Sequence, residues 1–186
     1  SYKTEGPLDL RMNPKKGISA AQRLKDISAE EFQGMLMENA DEPYAQEIAW
    51  EVTDRLRRGE EIATTTQLRQ AIEAALSFIP EKERREAVKK SSQRTFQALR
   101  IDVNNEYEAL YSFLEKLPEV LAPNGRVAIL TFHSGEDRLV KKSFKWFYKE
   151  GIYKEIANEV IRPSQEECIR NSRARSTKMR WAIRAD

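Results

Sequence analysis

The segment spanning residues 126–144 constrains the fold more than any other part of the chain. It begins with a short apolar run, residues 127–130, after a Pro-Asn-Gly turn, which is typical of a buried strand in a mostly parallel sheet. A polar turn follows, and apolar residues then recur at helical spacing through Phe147. Strand, polar turn and helix form the unit whose carboxyl edge binds ligands in open α/β sheets. The chain's single histidine, His133, lies at that edge.

Composition predicts a globular, cytoplasmic protein. A chain of 186 residues can bury one core, or one core with a helical appendage. With 40% hydrophobic and 33% charged residues it has enough apolar side chains to fold. One cysteine excludes an internal disulfide and fits a reducing cytosol. We expect no membrane association, because no apolar run approaches the roughly 20 residues of a membrane span and no leader opens the chain.

Hydrophobic periodicity divides the chain into a helical part and an α/β part. Residues 19–90 are helical in pattern, with helices predicted to begin after Ser28, near Pro43 and at residues 64–66, and with residues 81–90 as a charged surface segment. Gly59 and Gly151 are predicted to end helices. Residues 91–121 predict a long helix with a potential break near residues 104–105. Strands are predicted at residues 127–130, 160–161 and 178–185. We therefore expect an all-helical insertion at 19–90 between an opening loop and a sheet.

Three strands are few for such a sheet, since sheets average about 5–6 strands and an open parallel edge exposes apolar surface. Residues 1–7 also read as the interior of a loop, without an initiator methionine. We expect the chain to begin part-way through a longer protein whose upstream strands complete the sheet; a trimmed chain is the alternative.

Four segments carry motifs in a fixed order. Residues 6–12 read GPLDLRM, residues 94–101 read RTFQALRI with Val103, Asn104 and Glu106 after them, residues 126–138 read RVAILTFHSGEDR, and residues 171–180 read NSRARSTKMR. Together they resemble the S-adenosylmethionine-dependent cytosine-N4 methyltransferases of small-subunit (16S) ribosomal RNA, often called MraW or RsmH.

The resemblance implies a fold, a substrate and a cofactor. It implies an α/β fold in which residues 1–18 and 91–186 are the C-terminal part of a class I (Rossmann-like) methyltransferase sheet, and residues 19–90 an inserted helical substrate-binding domain. It implies methyl transfer from S-adenosylmethionine to the N4 amine of a cytosine in ribosomal RNA or the assembled small subunit, and a homodimer is an open expectation.

The cofactor site is expected mostly upstream of this chain. No glycine-rich strand–helix turn followed by an acidic residue occurs in the sequence. We therefore expect the chain alone to bind S-adenosylmethionine weakly or not at all, to be inactive, and to contribute no cofactor-binding or metal-binding residue. Two positions depart from the family pattern. Gly135 replaces a usual leucine and is expected to loosen the turn after His133, while Ser172 replaces a usual proline.

Two residues are candidates for catalysis. Methylation of an exocyclic amine requires acceptors that orient its N–H bonds and take up developing positive charge. Asp9 is the best carboxylate for that task, although pairing with Arg11 is an equally weighted alternative. His133 is expected to contact the base or the cofactor, or else to be a structural hydrogen-bonding residue. Ser134, Glu136 and Asp137 fit helix capping better than catalysis.

Basic residues predict an RNA surface. Residues 168–185 hold six basic and no acidic residues, and forked arginine donors there suit phosphate oxygens. Aromatic residues Phe132, Trp146 and Tyr148 are proposed as a stacking platform for a flipped base, with a place in the core as an equal alternative for Trp146. The candidate RNA-binding residues are Arg11, Arg94, Arg100, Arg138, Arg173, Arg175, Lys178 and Arg180. For the lysines near Arg138, a solvated face is the alternative.

Two other functions remain open at this point. The missing cofactor turn favours a non-catalytic RNA-binding remnant, which would bind ribosomal RNA and ignore the cofactor. A structural partner that completes the sheet of another chain through its open strand edge is the third alternative.

Overall fold

The computed structural model describes residues 2–186, and its contacts divide the chain into two compact units. The first runs to Asn105 and the second is Glu106–Asp186. The sequence places a boundary at residue 90 instead, where a run of charged residues ends. Helix α5 (Glu81–Val103) passes through that point without interruption. Residues 81–90 are therefore the first part of a long helix, and their side chains are exposed or half-buried, as predicted for a charged surface segment.

Helices and their caps account for the architecture of the first unit. The side chains of Ser19, Ser28 and Thr64 each accept a hydrogen bond from a first-turn backbone N–H, and Gln67 completes a capping box at Thr64. The helix starts predicted at Ser28 and at residues 64–66 are confirmed. No helix within residues 2–186 is long and apolar enough to cross a membrane. Before α5 the unit contains α1 (Ala20–Asp26), α2 (Ala29–Ala40), α3 (Ala45–Arg57) and α4 (Thr65–Ala75).

The opening loop is part of the helical core of the first unit. Leu8 is only 1% exposed, and it packs with fully buried side chains such as Ile48 of α3. The backbone N–H of Leu8 donates to the carbonyl oxygen of Ala63 at 2.9 Å. Because the loop is fixed on both sides of this contact, the position of its neighbour Asp9 is set by the packing of the helices.

The second unit is a small α/β structure. Its three-stranded sheet has the order β1-β3-β2, and β3 runs antiparallel to both neighbours. Helix α7 begins directly after β1 and ends before Gly151, whose positive φ of 77° provides the predicted stop. The elements are α6 (Glu106–Val120), β1 (Arg126–Thr131), α7 (Ser134–Lys149), β2 (Tyr153–Ile156), α8 (Gln165–Arg170), a 3₁₀ helix (Ser172–Ser176) and β3 (Lys178–Arg184).

The structure differs from the sequence interpretation at two points of this sheet. The apolar run after residue 126 predicts a buried strand of a mostly parallel sheet, whereas β1 pairs with β3 in antiparallel register and alternates between exposed residues and residues that are at least half-buried. The mostly parallel sheet of the longer protein stays a prediction. A strand is predicted at residues 160–161, where Ile161 instead forms an isolated bridge with Met179. The strand that pairs with β3 is Tyr153–Ile156, which sequence reasoning missed because its two central residues are charged and exposed.

The two faces of the sheet differ in what covers them. Val127, Ile129 and Ala182 point toward α7 and pack in one cluster with Val140 and Phe144 of that helix. The other face of β1 is more open, and Leu130 on that face is 56% exposed. Within residues 2–186 no strand pairs with the β1 edge that faces away from β3.

Candidate functional site

The turn after β1 is organised by His133 and Glu136. His133 is the N-cap of α7, and its Nδ1 accepts a hydrogen bond from the backbone N–H of Glu136 at 3.4 Å. The Glu136 carboxylate accepts a hydrogen bond from the backbone N–H of Phe132 at 2.9 Å. His133 Nε2 lies 3.3 Å from Glu136 Oε1 without hydrogen-bond geometry. His133 therefore performs the capping that the sequence assigns to Ser134, and this contact requires an unprotonated Nδ1.

The Tyr107 side chain occupies the space beside Gly135. A Cβ atom at Gly135 would lie 1.7 Å from the Tyr107 hydroxyl oxygen and 2.7 Å from its Cζ atom. The Tyr107 ring also lies 5.9 Å from the His133 ring, centroid to centroid. The space that a leucine would occupy in the related motif is filled by a tyrosine from α6. The turn at Gly135 is therefore packed, where the sequence predicts a loosened turn.

A buried ion pair joins α7 to β3. Arg180 Nε lies 2.8 Å from Asp137 Oδ1, its Nη2 lies 3.2 Å from Oδ2, and the two residues are 9% and 8% exposed. Burial acts to raise the pKa of Asp137, but the hydrogen bonds and charge of Arg180 outweigh burial, so this pKa is lowered. Arg180 is buried and its guanidinium is paired with Asp137, so it stabilises the fold and is not available to RNA.

The arginine loop, residues 171–178, presents its basic side chains to solvent. It forms a 3₁₀ helix whose N-cap Asn171 accepts a hydrogen bond from the Arg173 backbone N–H at 3.2 Å. Ala174 is buried and anchors the loop, whereas Arg173 and Arg175 are exposed. Lys178 is half-buried at the start of β3. The helical turn forms although serine replaces the usual proline, so the forked donors remain available to phosphate groups.

Asp9 and Arg11 form an ion pair in the first unit. Arg11 Nε lies 2.6 Å from Asp9 Oδ1, and its Nη2 lies 2.9 Å from Oδ2. The hydrogen bond from Arg11 is the main reason that the pKa of Asp9 is lowered. The structure thus shows the pairing alternative, and the pairing keeps the carboxylate ionised. Its hydrogen-bond accepting capacity is not used up, because an ionised carboxylate has about four acceptor sites.

Asn104 holds the loop that carries Asp9. Its side-chain amide donates to the Leu10 carbonyl oxygen at 2.9 Å, and its Oδ1 accepts from the Met12 backbone N–H at 2.8 Å. Leu10 has a φ of 65°, a left-handed conformation that costs a non-glycine residue about 1 kcal/mol or more. Sequence reasoning used Asn104 as a motif residue and as a helix break but missed this clamp, although asparagine's paired donor and acceptor suit it to such a role.

The other predicted basic residues belong to helices of the two units. Arg94 and Arg100 both belong to α5, but six positions along a helix of about 3.6 residues per turn put them roughly 120° apart. Arg138 is exposed on α7. Of the predicted set, the structure brings Arg173 and Arg175 together. No cluster of three or more potential metal ligands occurs within residues 2–186.

Comparison with known proteins identifies the family. The model of the MraW methylase family matches residues 1–185. The chain belongs to this family. A ribosomal RNA small subunit methyltransferase H 1 of Lachnoclostridium phytofermentans is 70% identical over 185 residues, which are 100% of this chain and 50% of that protein.

Two further relatives show the same partial coverage. The methyltransferase H 1 of Agathobacter rectalis is 62% identical over 100% of this chain and 53% of its own length. The methyltransferase H of Kosmotoga olearia is 40% identical over 99% of this chain and 59% of its own length. The chain therefore spans about half the length of the curated MraW relatives that it matches.

Proposed function

We propose that this chain is the substrate-side portion of a methyltransferase that methylates the N4 amine of a cytosine in small-subunit ribosomal RNA. The observation that carries the proposal is the match to the MraW methylase family over residues 1–185, and the names of its relatives support ribosomal RNA as the substrate. Such a protein would act in the cytoplasm on the RNA or the assembled subunit, and a homodimer is part of this proposal.

The fold of the whole protein belongs to the same proposal. The open edge of β1 supports a larger Rossmann-like sheet, because an unpaired strand edge is a pairing site for another strand. In that arrangement residues 1–18 and 91–186 belong to the methyltransferase domain and residues 19–90 are the helical insertion. Helix α5 would then connect the insertion to the sheet domain within one continuous element.

The residues of this chain do not by themselves fit S-adenosylmethionine, which the family uses. The strand–helix turn after β1 contains one glycine, and Tyr107 fills the space beside it. A close approach of the backbone to a ligand, as in glycine-rich cofactor turns, is thereby blocked at Gly135. We therefore assign the cofactor site to the segment that the longer relatives have in addition, and assign substrate recognition to this chain.

Asp9 is the proposed catalytic residue on the substrate side. Methyl transfer places positive charge on the exocyclic nitrogen of cytosine, and a fixed carboxylate that accepts hydrogen bonds from the amine N–H groups stabilises that charge. Arg11 keeps Asp9 ionised, and the Asn104 clamp fixes the loop. For His133, the commitment of Nδ1 to capping leaves Nε2 as its remaining polar atom, so we assign it a positioning role.

The RNA surface is centred on Arg173 and Arg175, with Arg11, Arg94, Arg100, Arg138 and Lys178 as further proposed contacts. Arg175→Ala should lower RNA affinity and reduce the slope of log K against log salt by about 0.7 for one lost single-strand phosphate contact. Lys116→Ala, which removes an exposed lysine of α6, is the matched control. An unchanged slope in the Arg175 variant would contradict the assignment.

A chimera tests the catalytic part of the proposal. We would join the upstream half of the Lachnoclostridium relative to this chain and measure transfer of labelled methyl groups to small ribosomal subunits, with nucleoside analysis for N4-methylcytidine. The chimera should produce that nucleoside, and Asp9→Asn should slow the reaction by roughly 10²-fold while the protein stays folded.

A non-catalytic RNA-binding protein is the second candidate, favoured by the absence of a cofactor turn from the described residues. A folded chimera that binds S-adenosylmethionine and RNA without producing N4-methylcytidine would support this second candidate. Calorimetric titration of the cofactor into the chain alone separates the two accounts further, because micromolar binding would refute the upstream placement of the cofactor site.

A further inference from the structure

A groove in the second unit has an apolar floor and a basic rim. Leu130 lies opposite Met179 in the β1–β3 pair, and Met179 lies opposite Ile161 in the isolated bridge. Directly opposed residues place their side chains on the same face of a sheet, so these three form one row. Phe132, two positions after Leu130, extends the row at the carboxyl end of β1. The groove lined by these residues has a volume of about 320 Å³.

The floor exposes large apolar side chains. Phe132 is 55% exposed, Leu130 is 56% exposed and Ile161 is 43% exposed. Helix α7 packs on the opposite face of the sheet and covers none of them. Contiguous exposed apolar side chains next to polar ones mark binding sites more often than isolated exposed residues do. The row therefore requires an occupant with a flat apolar face.

The rim indicates the chemistry of that occupant. Arg162 and Arg173 line the groove, and Arg162 Nη2 lies 3.5 Å from the Arg175 carbonyl oxygen, so the groove is continuous with the arginine loop. Glu167 also lines the groove, but two guanidinium groups leave the rim positive. Aromatic platforms beside arginine donors hold bases by stacking and phosphates by charge.

We propose that the groove holds the base of one unpaired ribonucleotide, stacked on Phe132, with its phosphate at Arg162 and Arg173. This inference rests on the proposed function, since it places one nucleotide of the RNA substrate. The volume lies near the low end of the roughly 300–1,000 Å³ of small-molecule pockets, which suits one base. The acceptor proposed for the exocyclic amine is Asp9, which does not line this groove. The bound nucleotide therefore flanks the methylated position.

Binding of fluorescein-labelled oligouridylate to the full chain tests the groove. Phe132→Ala should weaken binding by about 5- to 150-fold, the range that corresponds to roughly 1–3 kcal/mol per stacked base. The salt slope should stay unchanged, because no charge is removed. Phe113→Ala, which removes an aromatic side chain that is 50% exposed on α6, is the matched control and should keep full affinity. Phe132→Tyr should also keep it.

A duplex of the same strand with oligoadenylate should compete poorly, because its bases are stacked within the helix. Equal affinity of Phe132→Ala and the original chain would overturn the inference, and so would equal competition by the duplex. Self-association of the chain that disappears in Phe132→Ala would assign the groove to an interface between copies and would also overturn it.

Failure of the groove can be distinguished from failure of the proposed function. A steep salt slope that falls in Arg175→Ala, with Phe132→Ala unaffected, would refute the groove alone. Binding of oligouridylate and ribosomal RNA that is absent or insensitive to salt would refute both.

Discussion

Gly135 lies against Tyr107, and we predict that this contact decides whether Gly135→Ala stabilises or destabilises the second unit. Gly135→Ala places a Cβ atom 1.7 Å from the Tyr107 hydroxyl oxygen, half of the 3.4 Å at which ordinary contact begins. The tyrosine must move, and overpacking of this kind costs roughly 1–3 kcal/mol in the free energy of unfolding. Alanine is also a better helix former than glycine by up to about 1 kcal/mol. In the original chain the steric cost should exceed this gain, and Gly135→Ala should destabilise the second unit.

A second substitution at Tyr107 should reverse the direction of this change in stability. Tyr107→Phe removes the hydroxyl oxygen but leaves Cζ at 2.7 Å from the new Cβ, so the clash remains. Tyr107→Ala removes the whole ring and leaves His133 Nδ1, 3.3 Å from the new Cβ atom, as the nearest contact. Because that contact is much less severe than the one with the ring, Gly135→Ala in this background should stabilise the second unit by roughly a few tenths of a kcal/mol.

Hydrogen exchange in urea measures these effects separately for each unit. Peptides from α7 report the second unit, and peptides from α2 report the first. Gly34→Ala is the matched control, since Gly34 lies within α2 and a Cβ atom there meets nothing within 4 Å. It should protect α2 in every background. If Gly135→Ala destabilised α7 equally in the presence and absence of the Tyr107 ring, the steric explanation would be refuted.

Three further substitutions test the contacts that support the site. Asp137→Asn leaves the buried Arg180 charge without its partner and should cost about 3–5 kcal/mol in the free energy of unfolding, measured by urea titration. Because the pKa of Asp137 is lowered, the stabilisation by its carboxylate is present above the unfolded pKa near 3.9 and is lost as pH falls through the folded pKa. An acid titration of Asp137→Asn should therefore lack this loss of stability. Burial raises the pKa of Tyr153 to about 12, so the free energy of unfolding should fall as pH rises from about 10 to 12. Tyr153→Phe should remove this loss. It should cost little stability near neutral pH, because the buried hydroxyl has no protein partner. Asn104→Ala should cost about 1–3 kcal/mol and speed hydrogen exchange in residues 9–12; unchanged exchange there would contradict the clamp.

Sequence reasoning succeeded where the signal is local. Ser28 and Thr64 cap helices and Gly59 and Gly151 end them, because hydroxyl oxygens and positive φ act within a few residues of the chain. The predicted break near residues 104–105 is confirmed for the same reason, since α5 ends at Val103 and α6 begins at Glu106.

Sequence reasoning was wrong where pairing across the chain decides the outcome. Tyr153–Ile156 forms β2 because Tyr153 is buried beneath Phe144 and Phe147, a contact that no pattern of four residues reveals. The apolar pair at residues 160–161 has a stronger local signal but reaches β3 through one bridge only. The antiparallel direction of β3 likewise depends on how the arginine loop returns the chain, and the apolar pattern of β1 does not reveal it.

The candidate site could be located from the sequence, but the roles of its residues could not. His133 and Asp9 are both motif residues, and each makes intramolecular contacts that shape its own turn. The groove beside the arginine loop was missed because Leu130 and Ile161 lie 31 positions apart and meet only through the register of β3. Phe132 was predicted as a stacking residue, although the partners that complete the platform were not.

Motif residues of this family therefore divide by what their side chains touch. Asn104, Asp137 and Arg180 satisfy one another or the backbone inside the fold, so substituting them would reduce activity by moving the turns that present the site. Arg173 and Arg175 are exposed, and their substitution leaves the core intact. It follows that a loss of methyl transfer identifies a substrate contact only at positions of the second kind. At Asn104, Asp137 and Arg180, a loss of methyl transfer must be compared with a measurement of stability before any of them is assigned a role in the reaction.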